Sequence, residues 1–492
     1  MLIAADITAR EVEDLDWIEI STPNFSIVGP LGRNEGRDLA LHLEKVRAFA
    51  MRYMGFSDAG PLVPTLICIM PRTVYRRLVE AENTSGIYMP GIRRNLILVR
   101  NHRLSNKWTV QHEYIHDLVS SRDSFDYPRW YVEGLAEYFE GSRTRLDTFY
   151  VGLALNSRTH RLLSRSMLPA EKFLTVRDLS RLDEDDFYMY YAQAWLLVHY
   201  LFHGEDHEIE LHSAFEAYAE QRGAGASEPH AFSFAFGIPP DDLINRLHRY
   251  LHGKFLRSPG VRSEELVPDF DPSIRALSRA EAALNLAWVS SRFPQPVDDT
   301  QRWLDVALAE PATRARALLI SASLKLAGQE IEQVEALLDE AARLEPGNPD
   351  TYLNVAAYRL AAARVAPDPE RRVAHLNLAD SSLVKAWELD PSIPEIYVLA
   401  GQSYLERGEQ PERAVEMLEN ARVLLPSNLE VRLLLASAHA ASGDHDQALD
   451  LAHSVLRQLD ASDPDRTAVL EFIDSARSKK SSRADQASDS SS

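Results

Sequence analysis

The second half of the chain repeats a short pattern, and this repeat constrains the fold more than any other feature of the sequence. A leucine is followed by an alanine three residues later, and a proline comes four or five residues after that alanine. Leucine and alanine at this spacing lie on one face of a helix, and the proline marks the end of that helix. Successive prolines are 35, 45 and 35 residues apart, which leaves room for two helices in each unit. The four copies are Leu304, Ala307 and Pro311; Leu338, Ala341 and Pro346; Leu383, Ala386 and Pro391; and Leu418, Ala421 and Pro426.

Two glycines recur with the same period. Gly408 and Gly443 lie 35 residues apart, and each precedes a helical segment that contains a small residue, Ala414 or Ala448. The whole pattern resembles the tetratricopeptide repeat (TPR), a helix pair of about 34 residues. The unit near 347–390 departs from that repeat because it is about ten residues longer, and the consensus tryptophan is missing. The resemblance implies an all-α TPR-like superhelix whose concave surface binds a peptide or a protein partner.

The first hundred residues alternate between strand and helix signals. Runs of β-forming residues flanked by proline and glycine predict strands, and apolar residues at helical spacing predict helices. Together these elements predict a small mixed sheet with helices, an α+β unit. The predicted elements are strands at 17–20, 25–28 and 64–70, helices at 36–54 and 72–82, and a hairpin that turns at Pro90 and Gly91.

Changes in composition along the chain predict five segments. Residues 1–105 form the α+β subdomain, and the pattern is helical over 106–257. A proline-rich, acidic stretch predicts a linker at 258–274, and the TPR-like repeats follow at 275–475. The serine-rich end of the chain, 476–492, has no apolar anchors, so we predict that it is disordered.

The overall composition excludes several classes of function. The formal net charge of −20 argues against a nucleic-acid partner, because polyanion binding needs clustered cations. A single cysteine, Cys68, permits neither an intramolecular disulfide nor a cysteine-based zinc site. No apolar run reaches the roughly 18 residues that span a bilayer. The N-terminus lacks the basic region of a signal peptide, which predicts a cytoplasmic protein; a start site placed too far downstream would have removed an export signal.

One segment carries a metal-binding pattern. His112 and His116 are four residues apart, so both imidazoles lie on one helix face and can reach a single Zn²⁺ ion. Glu113 follows the first histidine, where a carboxylate can take a proton from water that zinc activates. The HExxH pattern alone is only suggestive, because a histidine pair at this spacing also occurs without a metal.

A second segment supplies a carboxylate ligand. Trp130, Glu133, Gly134, Ala136 and Tyr138 form the pattern W-x-x-E-G-x-A-x-Y, which begins 14 residues after His116. With HExxH, this pattern resembles the gluzincin peptidases related to aminopeptidase N and, still more closely, the bacterial peptidase-MA-like group. The spacing is about two residues shorter than in those aminopeptidases. The resemblance implies a zincin-like fold, one zinc ion per chain and Glu133 as its third protein ligand.

Two further acidic residues leave alternatives open. Glu137 lies four residues after Glu133, on the same helix face, and either orients a ligand histidine or is itself the third ligand. Asp117 either bonds to a ligand imidazole or faces solvent.

A tyrosine is the candidate for stabilising the oxyanion. Aminopeptidase-like gluzincins carry Y-E-K-G before an apolar helix, and the tyrosine of that motif falls on Tyr191, with Ala194 in place of the glycine. A donor aimed at the charge that develops in the transition state accelerates acyl transfer. Tyr190 is the competing residue, and packing in the core is the alternative role for both tyrosines.

The resemblance also implies where a substrate lies. In gluzincins the strand before the zinc helix borders the cleft, and here that strand is Asn95, Leu96, Ile97, Leu98 and Val99. An extended peptide would add to this strand through backbone hydrogen bonds. The sequence therefore predicts a zinc metallopeptidase, with endopeptidase action favoured because no G-x-M-E-N-like segment is present. The alternatives are a catalytically inactive peptidase-like TPR scaffold and a metal-free helical adaptor.

Overall fold

The computed structural model describes most of the chain in ten stretches: residues 11–54, 63–79, 84–101, 106–122, 127–204, 210–253, 256–266, 270–327, 333–459 and 465–489. The chain forms two compact units. The first unit contains Met1–Ala40, Val63–Asn106 and Phe270–Ala421. The second contains Leu41–Leu62, Lys107–Asp269 and Arg422–Ser492. Both units are therefore discontinuous in sequence, and their boundaries differ from the predicted segments.

The described residues form nine strands and twenty-one α-helices. The strands are β1 (Ile18–Ser21), β2 (Phe25–Gly29), β3 (Thr65–Met70), β4 (Gly86–Met89), β5 (Asn95–Arg100), β6 (Arg143–Arg145), β7 (Thr148–Tyr150), β8 (Gly260–Arg262) and β9 (Ser273–Ala276). The helices before the repeats are α1 (Arg33–Met54), α2 (Arg72–Leu78), α3 (Asn106–Arg122), α4 (Arg129–Glu140), α5 (Asn156–Ser164), α6 (Ala170–Thr175), α7 (Glu184–His203), α8 (Leu211–Gly223), α9 (Glu228–Phe236) and α10 (Pro240–Leu251). The later helices are α11 (Arg279–Ser291), α12 (Thr300–Ala309), α13 (Pro311–Ala327), α14 (Val334–Leu344), α15 (Pro349–Arg364), α16 (Pro369–Leu389), α17 (Pro394–Arg407), α18 (Pro411–Leu424), α19 (Leu429–Ser442), α20 (His445–Gln458) and α21 (Asp465–Asp489).

The first unit contains a mixed six-stranded sheet in the order β4-β5-β3-β2-β1-β9. Strands β2, β3 and β5 are parallel, and the remaining pairs are antiparallel. β3 is buried along its whole length and β5 along Asn95–Val99, which is why both are continuous apolar runs rather than alternating ones. β4 and β5 form the hairpin predicted around Pro90.

The predicted linker at 258–274 is wrong. Its residues form β8 and the start of β9, and β9 adds to the sheet by pairing with β1. From β9 the chain passes directly into α11, and the sheet and the first repeat helices share one core that includes Trp17, Leu98, Ala283 and Trp303. The beginning of the repeat region is therefore packed on the sheet instead of being tethered to it.

The C-terminal region is a series of paired antiparallel helices, as the repeat predicts. α13 packs against α14, α15 against α16, and α19 against α20. Gly408 and Gly443 have left-handed backbone conformations and end α17 and α19, so they close the first helix of each pair. The disordered tail predicted from residue 476 is a further error, because α21 continues to Asp489; residues 490–492 lie outside the described part of the chain.

The second unit contains the helices of the 106–257 segment, as predicted, together with a small sheet that was not predicted. Its antiparallel strands lie in the order β6-β7-β8. α4 and α7 pack closely together, and α5 packs on α7. Among the described residues, none of the helices has the length and apolar character needed to cross a membrane.

Candidate metal centre

Helix α3 presents two histidines on one side. The rings of His112 and His116 are one helical turn apart, with centroids separated by 5.0 Å. Both histidines are partly exposed, whereas Tyr114, Ile115 and Leu118 between and after them are buried. The apolar side of α3 thus anchors the helix in the core, and this packing fixes the direction in which the histidine pair points.

Glu133 on α4 completes a three-residue cluster with these histidines. Its Oε2 atom lies 3.6 Å from Nε2 of His112 and 3.6 Å from Nε2 of His116. Ligands at about 2.0–2.1 Å from a tetrahedral zinc ion are separated from one another by about 3.3 Å. Each nitrogen therefore lies at nearly the spacing of two zinc ligands from the carboxylate oxygen, and all three atoms lie within 4.8 Å of one another, so the residues present fit this metal.

Arg129 borders the same carboxylate. Its Nη2 atom lies 3.7 Å from Oε1 of Glu133, one turn earlier on α4. The two oxygens of Glu133 thus face different neighbours: Oε2 faces the histidines and Oε1 faces a cation.

Gly134 explains how α4 approaches α7. A Cβ atom at this position would overlap the backbone carbonyl oxygen of Ala194 and would lie 2.7 Å from Cγ2 of Val198. Only glycine allows the two helix backbones to come this close. Because Glu133 is the preceding residue and Tyr191 lies on α7, this contact places the carboxylate and the tyrosine in the same region.

The structure separates Tyr191 from its competitor. The ring of Tyr191 is partly exposed and its centroid lies 6.2 Å from that of His112. The ring of Tyr190 is fully buried against Phe173. Burial and the negative charge of Glu133 raise the pKa of Tyr191 well above its ordinary value, so its hydroxyl keeps its proton at neutral pH. Tyr191 is therefore the tyrosine that can donate a hydrogen bond near the histidines.

The remaining predicted acidic residues of α3 are buried. Glu113 is 9% exposed, and its charge acts on the neighbouring His112. Asp117 is 4% exposed, so it does not face solvent, which removes one of its two predicted roles.

A second group of charged residues lies on the other side of His112, and the sequence analysis identified only part of it. Nδ1 of His112 is 3.4 Å from Oε2 of Glu140 and 3.8 Å from Oε1 of Glu137. Arg158 on α5 forms a two-pronged ion pair with Glu137, with distances of 2.6 and 2.7 Å. Glu140 is therefore the carboxylate nearer to Nδ1 of His112, and Glu137 lies behind it in an ion pair with Arg158. Among the described residues, only Glu133 faces both Nε2 atoms. Glu140 and Arg158 belong to no motif, so only three-dimensional contacts reveal them.

The helix that carries the histidines is also held by the residue before them. The side-chain oxygen of Gln111 lies 2.6 Å from Nε2 of His42, and its amide donates to the backbone oxygen of Glu140. All three residues belong to the second unit. Gln111 thus connects α3 with α1 and with the end of α4, next to the candidate metal-binding cluster.

The electrostatics of the cluster differ between the two histidines. Burial lowers the pKa of His116 to about 4, so its imidazole is neutral at neutral pH, as a metal ligand must be. Burial also acts to lower the pKa of His112, but the neighbouring carboxylates of Glu133 and Glu140 raise that pKa well above its ordinary value. Burial opposes ionisation of Glu133, yet the neighbouring His112, with His116 and Arg129, lowers its pKa to about 2. Without a metal, a proton on His112 therefore compensates part of the acidic charge.

The strand proposed to receive a peptide is not at an edge of the sheet. β5, which contains Asn95, Leu96, Ile97, Leu98 and Val99, pairs with β3 on one side and with β4 on the other. Its backbone hydrogen-bonding groups are used by these neighbours, so a peptide does not add to it. The prediction failed because strand order is not contained in a local sequence. The outer strand on this side of the sheet is β4.

Comparisons with known proteins identify the repeats and leave the activity of the preceding segment undefined. A family model described as a protein of unknown function (DUF1570) matches residues 106–221, which contain every candidate metal ligand. A tetratricopeptide repeat model matches residues 408–470. The C-terminal region contains tetratricopeptide repeats. No curated protein matches the chain significantly.

Two solved structures are similar to parts of the chain. The first is a thermophilic TPR protein, TTC0263 of Thermus thermophilus, with 23% identity and a TM-score of 0.35; the match covers 40% of this chain and 98% of that one. The second is yeast Tom70, with 15% identity and a TM-score of 0.29; that match covers 77% of this chain and 74% of Tom70.

Proposed function

We propose that this protein is a zinc-dependent peptidase. The observation that carries the proposal is the convergence of His112, His116 and Glu133, with both Nε2 atoms 3.6 Å from one carboxylate oxygen. Two imidazoles and one carboxylate are the ligand set of a catalytic zinc site, which leaves a further position for water or substrate. The buried carboxylate of Glu113, next to His112, adds a general base to this set.

Each residue has a distinct part in hydrolysis of a peptide bond. A zinc ion held by the three ligands would polarise the scissile carbonyl and lower the pKa of water. Glu113 accepts the proton of the attacking water and passes it to the leaving amine. Tyr191, whose pKa is raised, donates a hydrogen bond to the carbonyl oxygen as negative charge develops there.

The TPR repeats provide a protein-interaction surface, and we propose that they bring a protein substrate or a partner to the peptidase. Endopeptidase action is favoured, because the chain has no segment like the G-x-M-E-N signature that anchors a substrate amine in aminopeptidases.

The proposal is tested by metal content and by one conservative variant. Elemental analysis of the purified chain should give one zinc per chain, and a peptide library should be cleaved in a chelator-sensitive manner. Glu113→Gln should keep the zinc and lose about 10²–10⁴-fold in rate, the usual contribution of a general base. Glu216→Gln, a change at an exposed glutamate of α8, is the matched control and should retain full activity.

Three other results would be informative. Hydrolysis at the wild-type rate by Glu113→Gln would remove this residue from the mechanism. Bound zinc without cleavage of any peptide would favour the inactive TPR scaffold. A chain without zinc would reject the peptidase proposal altogether.

A further inference from the structure

His112 takes part in two overlapping clusters that each have the composition of a metal site. In one, its Nε2 atom faces Glu133 together with His116. In the other, its Nδ1 atom faces Glu137 and Glu140. In each cluster the candidate ligand atoms lie within 4.8 Å of one another. The geometry of the acidic residues alone therefore does not decide which cluster takes a divalent ion.

Arg158 fills the second cluster. Its Nε and Nη2 atoms pair with both oxygens of Glu137, and Nη2 also lies 3.8 Å from Oε2 of Glu140. The side chains of Arg158, Glu137 and Glu140 are 19%, 2% and 16% exposed, so solvent screens this pairing little. A planar guanidinium that engages a carboxylate with two parallel hydrogen bonds is strongly held and directionally specific.

The position of this cation has consequences for the ionisation of its neighbours. Burial and the charge of Glu140 raise the pKa of Glu137, and Arg158 opposes that rise. Two buried carboxylates side by side are costly unless a cation compensates them. A metal ion would supply such compensation, and here a guanidinium supplies it.

We propose that Arg158 is a positioning residue that confines a divalent metal ion to His112, His116 and Glu133. It occupies the cation position between Glu137 and Glu140 and keeps both carboxylates away from the ion. Nδ1 of His112 then remains a hydrogen-bond donor, which leaves Nε2 as the metal-binding atom. This inference rests on the proposed function, since it assumes that the first cluster binds a metal.

The test measures the ligands of Co²⁺, a spectroscopic substitute for zinc, in the full chain. X-ray absorption gives the mean number of imidazole ligands per bound cobalt, which should be two in the wild type. The Arg158→Met variant frees Glu137, Glu140 and Nδ1 of His112 to bind the cobalt ion. The mean number of imidazole ligands per cobalt should therefore fall toward one. Arg165→Met is the matched control, because Arg165 lies just after α5, the helix that carries Arg158, and pairs with an exposed aspartate. In this variant the mean number of imidazole ligands should stay at two.

A double variant separates ligand selection from structural damage. In Glu137→Gln/Arg158→Met an amide replaces one carboxylate of the second cluster, and an amide oxygen is a weaker ligand than a carboxylate. The mean number of imidazole ligands per cobalt should therefore return to two. If Arg158→Met does not fold, Arg158→Gln, which retains one donor for Glu137, provides the same measurement. Circular dichroism confirms that each variant is folded.

The outcomes distinguish this inference from the proposed function. Two imidazole ligands per cobalt in folded Arg158→Met would overturn the inference and leave the peptidase proposal standing. The expected shift in Arg158→Met, combined with no peptide cleavage by the zinc-loaded wild type, would overturn the peptidase proposal alone. A wild-type chain that binds neither zinc nor cobalt would overturn both.

Discussion

The TPR helices and the helices of the candidate metal centre are held together by contacts at different distances along the sequence. In the repeats, packed partners follow one another directly, as α15 and α16 or α19 and α20 do. At the candidate metal centre, Gln111 bonds to His42, 69 residues away, and Tyr138 on α4 bonds to His203 on α7, 65 residues away. A repeat can therefore be recognised from its period, whereas a site assembled from distant segments is only partly visible in any one of them.

Both regions nevertheless use glycine for close helix packing. Gly401 on α17 faces the side chain of Leu418 on α18, and Gly134 on α4 faces the backbone of α7 at Ala194. A leucine side chain can change rotamer, but a helix backbone moves only as a whole. Replacement of the glycine should therefore disturb the packing less at Gly401 than at Gly134, and this difference can be tested.

The largest expected effect is the loss of metal from the second unit. Glu133→Ala removes the only carboxylate that faces both Nε2 atoms among the described residues, so zinc should be lost from the purified protein. Glu137→Ala should weaken zinc binding by about 10–100-fold, as is usual for residues that support a ligand. Isothermal titration with zinc compares the two variants. Full zinc occupancy in Glu133→Ala would identify Glu137 as the ligand.

The second largest expected effect is a lower turnover rate without any loss of zinc. Tyr191→Phe removes a hydroxyl donor near His112 and should lower kcat by about 10²-fold or more, with zinc content unchanged. Tyr190→Phe is the matched control, since that ring is buried against Phe173, and it should keep nearly full activity. Steady-state kinetics with one cleaved peptide decides between them. Equal activity of the two variants would make Tyr191 a packing residue.

Much of the candidate site could be predicted because its candidate ligands occur in two short motifs. HExxH places two histidines on one helix face by periodicity alone, and the E-G pair brings a carboxylate on a helix that packs closely through Gly134. Glu140 could not be distinguished from a surface charge, because its contact with His112 depends on how α3 and α4 pack. Arg158 lies in a segment without any pattern, and its partner Glu137 is on another helix.

In the fold, too, local sequence patterns predicted some elements, and contacts between distant residues determined the others. Strands β1, β2, β3 and β5 and the paired repeat helices were predicted from local periodicity. The position of β9 beside β1 was not, because the four residues of β9 are mostly exposed and follow a proline-rich stretch that is typical of a linker. The internal position of β5 was also missed, since the order of strands depends on contacts between distant residues.

A pair of glycine variants tests the contrast in packing. Gly134→Ala forces a Cβ atom against the carbonyl group of Ala194, and overpacking of this kind costs about 1–3 kcal/mol, offset in part by the ~1 kcal/mol helix preference of alanine. The shift of α7 should also weaken zinc binding, because Glu133 is adjacent. Gly401→Ala meets a side chain and should leave zinc affinity unchanged. Thermal unfolding and zinc titration of both variants provide the measurement, and an equal loss of zinc affinity in both would contradict the contrast.

The smallest expected effect is a dependence of stability on pH that arises beside the metal centre. Burial, reinforced by the charge of Lys107, lowers the pKa of His42 from 6.5 to about 3. Between these values the unfolded chain binds a proton that the folded protein does not, so stability is complete above pH 6.5 and falls as the pH decreases. At pH 5.5 the loss is about 1.4 kcal/mol. His42→Gln retains a partner for Gln111 without a titrating group, so the urea midpoints of this variant at pH 7.5 and 5.5 should differ less than those of the wild type. An identical pH dependence in both proteins would show that His42 is accessible to protons in the folded state.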